Sequence, residues 1–154
     1  MDRDVAKAPK YREACKQAKI EYFNVPLMRG TKELERPVQQ ETITRRYTEE
    51  TIKFIRTNKK GPFFCYLAHS LPHVPLFRDK PFVGVSDGGI YGDVIEEIDW
   101  SVGQILKTVQ DEGLAKNTLV WFTSDNGPWL IFETHGGSAG LLRDGKGSTW
   151  EGGV

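Results

Sequence analysis

The chain has 154 residues, of which 38% are hydrophobic and 27% charged, with a mean hydropathy of −0.46, the composition of one soluble domain with a core of its own. Its 21 basic and 21 acidic side chains cancel to a formal charge of zero, which argues against nucleic acid or an anionic membrane as the main partner. No apolar run approaches the ~18–20 residues that a membrane-spanning helix requires, and Met1 to Lys7 lacks the apolar centre of a signal peptide.

Residues 1–40 are polar and interrupted by Pro9, Pro26, Gly30 and Pro37. The one apolar patch, Ile20 to Val25, has the length of a short strand. Gln40 to Asn58 is expected to be a helix, with Ile43, Tyr47, Thr51 and Ile55 on one face and Gly61-Pro62 ending it. Pro62 to Ala68 is a continuous apolar run, expected to be an interior strand covered on both faces, with Cys65 a small core side chain. Two cysteines, Cys15 and Cys65, do not make a disulfide framework.

Residues 69–90 form a long connection rich in proline and glycine, a length that in a compact domain is usually functional or disordered. Tyr91 to Glu112 carries the strongest helical pattern, with Val94, Ile95, Ile98, Val102, Ile105, Leu106 and Val109 as its apolar stripe. Asp93, Glu96 and Glu97 lie early, where acid suits the helix dipole. Thr118 to Ser124 is a second buried strand. Alternation of helix and strand implies a parallel sheet and an α/β fold, in which ligands sit just outside the carboxyl ends of strands.

Both strand ends carry chemistry-bearing residues. His73 stands between Pro72 and Pro75, in a loop stiffened by the prolines, where it could move a proton or bind an anion. It could equally be a loop histidine satisfied by a backbone carbonyl. His69 competes with it, and His135 lies in a glycine-rich stretch. Asp125 and Asn126 follow the second strand and offer the hard oxygen donors that Ca²⁺ or Mg²⁺ prefers, although Asx-Gly-Pro is also a turn former. Lys146 sits between Gly145 and Gly147, where the backbone can approach a tetrahedral anion closely and the ammonium can serve as a point charge. The alternative there is an ordinary exposed lysine.

Ser124-Asp125-Asn126-Gly127-Pro128, followed by the run from Gly140 to Val154, closely resembles the second half of the sulfatase catalytic domain, in the arylsulfatase branch of the alkaline-phosphatase superfamily. Tyr66 to Pro75 resembles that family's histidine loop, and Tyr91 to Asp99 the helix after it. The resemblance implies a partial alkaline-phosphatase-like fold spanning 1–154, a mostly parallel sheet with flanking helices. It implies that Asp125 and Asn126 are ligands of calcium (magnesium in some members). It implies that His73 contacts the sulfate near the leaving oxygen, and that Lys146 binds the sulfate and neutralises the leaving alkoxide or phenoxide. Both are thereby catalytic and substrate-binding residues.

The pattern is incomplete. Sulfatases convert a Cys or Ser in a Cys/Ser-x-Pro/Ala-x-Arg motif to formylglycine, and neither Cys15-Lys16-Gln17-Ala18-Lys19 nor Cys65-Tyr66-Leu67-Ala68-His69 fits it. Asp2-Arg3-Asp4 is not the family's pair of N-terminal metal-binding aspartates. The nucleophile is therefore expected in a missing N-terminal part, and these residues alone are expected to be inactive. The implied substrate is a small-molecule or carbohydrate sulfate ester, and the implied compartment is extracytoplasmic: lysosomal, secreted or periplasmic. The alternatives are a phosphatase or phosphonate hydrolase of the same superfamily, or a truncated, non-catalytic binding module. Oligomeric state is not legible.

Overall fold

The structure, a computed structural model, describes residues 9–154; Asp2 and Asp4 lie outside the described residues. Among the described residues three α-helices carry the scaffold: α1 (Pro9–Lys16), α2 (Ile43–Asn58) and α3 (Gly89–Asp111). A hairpin of β1 (Leu27–Arg29) and β2 (Lys32–Glu35) pairs antiparallel, with Met28 opposite Glu33 and Arg29 opposite Lys32. It lies in the stretch expected to be loop. The Ile20–Val25 patch, expected as a strand, instead begins with a 3₁₀ turn at Ile20–Tyr22.

Helices α2 and α3 pack on each other through small polar side chains as well as aliphatic ones. Ile43, Thr44, Thr48, Thr51 and Ile55 of α2 are buried, as are Val94, Ile98, Ser101, Thr108 and Val109 of α3. Thr48 Oγ1 donates back to the Thr44 carbonyl at 2.8 Å and lies 2.6 Å from Ser101 Oγ, so the hydroxyls inside the contact are hydrogen-bonded. At the far end, Arg56 and Lys59 both reach Glu112. Ile95 and Leu106, expected in the buried stripe, are exposed.

Asp93 and Glu97, noted in the sequence only for their place early in the helix, are buried. Each ties part of the long connection to α3. Asp93 accepts from the backbone N–H groups of Gly84 and Ser86 and from Arg78 Nε. Glu97 Oε2 accepts from the backbone N–H of Asp79, whose own carboxylate pairs with Arg45 of α2. Burial would raise the Asp93 carboxyl, but the two N–H groups and the guanidinium outweigh it and hold it below the ordinary range. Burial dominates at Glu97 and pushes its carboxyl up. The connection is thus pinned by buried carboxylates, which explains how so long a loop is ordered.

The two apolar runs form no hydrogen-bonded ladder among the described residues, and the hairpin is the one sheet there. Phe64, Tyr66, Leu119 and Trp121 are each more than 80% exposed. Cys65 is exposed too, and Cys15 is the buried one. A strand cannot satisfy its own backbone, so these runs need neighbours that the described residues do not include. The core lies elsewhere: Cys15, Val38, Leu71, Val74, Leu76, Val94, Ile98 and Phe132 gather where α1, the 71–77 loop and α3 meet.

Candidate active site

The loop after the first apolar run is anchored from below. Leu71, Val74, Leu76 and Phe77 are buried in the core, while His73, between them, is turned to the surface. Its Nδ1 lies 2.6 Å from the Val74 carbonyl. A carbonyl only accepts, so Nδ1 carries the proton and Nε2 is the atom presented outward. Neutral, that ring accepts at Nε2; charged, it donates there. The backbone carbonyl expected of an ordinary loop histidine is thus present, and it leaves Nε2 open to solvent.

His69 points away from this cluster. It is half-buried, its ring packs 6.5 Å from Tyr47, and its Nε2 approaches Ser101 Oγ of α3 at 3.4 Å. Burial pushes its pKa down. His135 is half-buried with its Nδ1 unpartnered, and burial pushes its pKa down as well. The scaffold gives His73 the accessible ring nitrogen.

The glycine-rich tail folds back on the segment after the second apolar run. Gly127 N–H donates to the Gly153 carbonyl at 3.2 Å, and Lys146 N–H donates to Pro128 at 2.8 Å. Gly152 N–H reaches Arg143 at 2.9 Å. The crossing is so close that a Cβ on Gly127 would overlap the Gly152 carbonyl oxygen, and one on Gly152 would overlap the Asp144 carbonyl. Glycine is required at both positions for steric reasons. Asp144 takes a positive φ of 68° and steadies it by accepting from Gly145 N–H at 2.9 Å. These contacts fix where Lys146 leaves the backbone.

Lys146 and His73 meet at a residue the sequence reading did not single out. The indole of Trp129 lies 5.4 Å from the His73 ring, and Lys146 Nζ stands 5.2 Å from the indole centroid. Trp129 is itself held by Phe132, whose ring is 4.7 Å away and fully buried, and by its N–H to the Gly136 carbonyl at 3.0 Å. An aromatic directly after Asp125-Asn126-Gly127-Pro128 was the available signal. Glu133 was missed as well; it binds Arg12 and Lys16 and so fastens α1 beside this turn.

Asp125 is exposed and Asn126 half-buried, three and two residues before Pro128. Ser124 Oγ donates to the Asn126 carbonyl at 2.8 Å. Among the described residues no hydrogen bond or ion pair engages the Asp125 carboxylate, and no group of three His, Cys, Asp or Glu side chains could hold a metal. The pair fits a hard cation by donor chemistry, an anionic oxygen beside a neutral amide oxygen, but supplies only part of a six- to eight-oxygen shell.

Two extended runs whose following loops carry His73, Asp125 and Asn126, set beside α-helices, define a partial α/β domain of the alkaline-phosphatase-like kind. The chain is similar to a solved structure described as Ps i-CgsB in complex with k-i-k-neocarrahexaose, at 30% identity and a TM-score of 0.72 over 96% of this chain and 34% of that one. The sulfatase family profile matches residues 2–154, and the chain belongs to that family. Human steryl-sulfatase is 41% identical over 88% of the chain and 24% of its own length. Mouse N-acetylgalactosamine-6-sulfatase is 41% identical over 85% of the chain and 28% of its own length. The chain thus spans about a quarter of these curated relatives. No helix among the described residues is long and apolar enough to cross a membrane.

Proposed function

We propose that the chain is part of a sulfuric ester hydrolase of the arylsulfatase type, one that cleaves small-molecule or carbohydrate sulfate esters in an extracytoplasmic compartment. The reading rests chiefly on one observation: His73 and Lys146, from loops far apart in sequence, lie against the same indole. One is a steerable proton carrier, the other a fixed positive charge.

Hydrolysis converts R–O–SO₃⁻ and water to R–OH and hydrogen sulfate. Charge grows on the bridging oxygen as the S–O bond lengthens, and groups already in place stabilise it without reorganising. Lys146 neutralises charge on the sulfuryl oxygens. His73, protonated at Nε2 and held by the Val74 carbonyl through Nδ1, gives its proton to the departing oxygen. Asp125 and Asn126 would supply two ligands to a calcium or magnesium ion, which when bound would supply Lewis-acid polarisation of a sulfate oxygen. The remaining ligands and the nucleophile, a formylglycine in this reading, come from segments beyond these residues.

The test is turnover of an aryl sulfate by the complete polypeptide, with and without a chelator. Hydrolysis that is lost in Lys146→Ala and His73→Ala supports the reading. Hydrolysis at wild-type rates in both variants overturns it, and cleavage of an aryl phosphate or phosphonate in preference to the sulfate would favour another branch of the superfamily.

A further inference from the structure

Lys146 poses a physical problem for the function proposed above. A lysine ammonium rides on a flexible four-carbon stem, and ordering such a side chain costs up to ~2 kcal/mol of rotamer entropy. A charge that must meet a developing negative oxygen is useful only if it is already in position. The Nζ of Lys146 has no ion pair among the described residues. What it has is the indole of Trp129, with Nζ 5.2 Å from the ring centroid, within the range where the negative face of an aromatic attracts a cation.

The same indole meets the His73 ring at 5.4 Å with an interplanar angle of 50°. It is not a mobile surface ring. Phe132 backs it at 4.7 Å, Tyr11 packs edge-on against Phe132 at 6.5 Å, and the backbone of Trp129 is bonded to Gly136. Its carbonyl neighbour, Pro128, takes the N–H of Lys146 itself. Backbone and side chain of Lys146 are therefore both referenced to residues 128–129, and His73 is referenced to the same ring.

We infer that Trp129 is a positioning residue for the reaction: it sets the Lys146 ammonium and the His73 imidazole against one rigid plane, so that both converge on a single tetrahedral anion. The inference rests on the sulfatase reading for its activity arm, but not for its geometric one.

The experiment compares Trp129→Ala, Trp129→Phe, Lys146→Ala and the Trp129→Ala/Lys146→Ala pair in the complete polypeptide, with p-nitrophenyl sulfate as probe. Trp129→Ala is expected to lower kcat by about tenfold to a hundredfold, the scale of a misplacement near 1 Å. Trp129→Phe, which keeps an aromatic face, should recover most of the loss. Adding Trp129→Ala to Lys146→Ala should cost less than the two single losses multiplied, because one of the two groups it positions is already gone and only the His73 part remains to be lost. Losses that multiply fully, or a Trp129→Ala enzyme with unchanged kcat, would overturn the proposal. Proton NMR of the same proteins reads the geometry without turnover. The Lys146 ε-methylene and His73 ring signals should be displaced by the indole ring current, and the displacement should vanish in Trp129→Ala. Undisplaced signals in the wild type would sink the positioning role. Displaced signals in a protein that turns over no sulfate ester would keep the geometry and reject the reaction. If Trp129→Ala does not fold, the Phe variant carries both arms: a kcat near wild type with displaced signals supports the role, and undisplaced signals with full activity refute it.

Discussion

The helical layer and the two apolar runs handle the same physical demand in opposite ways. Helices α2 and α3 satisfy their own backbones and bury threonine and serine hydroxyls against each other. The runs at 62–68 and 118–124 are richer in apolar side chains, yet most of those side chains face solvent. Hydrogen bonding within a helix is local, whereas strand pairing is supplied by another segment. The candidate site lies at the ends of the open runs, while the closed helical layer keeps its loops in place. Loss of activity should therefore track the loops, and loss of stability the helices.

The largest expected effect tests that division directly. Lys146→Ala or His73→Ala in the complete polypeptide should lower kcat by about a hundredfold or more while leaving the thermal unfolding midpoint nearly unchanged. A drop in midpoint matching the activity loss would erase the distinction between site and scaffold. Phe64→Ala and Leu119→Ala sharpen the other side of the comparison. In the isolated 154 residues they should leave stability unchanged, because both side chains stand in water. In the complete polypeptide, where neighbouring strands would cover them, each should cost about 2–5 kcal/mol in denaturant unfolding. Equal effects in both contexts would mean that the runs are never covered.

Within the scaffold, Asp93→Asn should destabilise by about 1–3 kcal/mol near neutral pH, since it weakens two backbone bonds and the Arg78 pair around a buried group. Because the folded-state pKa of Asp93 lies below its ordinary value, the wild-type advantage should be present at neutral pH. It should fade as pH falls below that value and through the folded one. Glu97 has the opposite sign. Its folded pKa is raised, chiefly by burial, so the charged form is a penalty above the ordinary 4.5 that disappears in acid. Glu97→Gln should accordingly match or exceed wild-type stability at about pH 7 and lose that relative gain near pH 4. Thermal melts at the two pH values decide both signs. The smallest effect belongs to Arg29→Ala, whose exposed pair with Glu50 should be invisible in a melt.

Periodicity located α2 and α3 because a helix is encoded by neighbours three and four residues apart. It did not anticipate the burial of Asp93 and Glu97, whose partners are loop N–H groups of the 79–86 stretch. Nor did it anticipate exposed Cys65: an apolar run says that a strand could be covered, not that the cover is present. The site was legible as separate pieces. His73, Asp125, Asn126 and Lys146 stood out by residue type and by resemblance, but nothing along the sequence placed Trp129 between His73 and Lys146, since that contact is made only by folding. The turn at Glu133 was hidden for the same reason, its cations lying at the other end of the described residues.

The uncovered runs have a practical consequence for anyone making these residues alone. Phe63-Phe64-Cys65-Tyr66-Leu67 and Leu119-Val120-Trp121-Phe122 are short, uncharged, rich in strand-forming side chains and free of internal proline. Segments of that kind, with unpaired backbone edges, recruit copies of themselves into stacked sheets. Produced in isolation, the polypeptide should therefore aggregate as its concentration rises, through surfaces unrelated to the one that would bind its substrate.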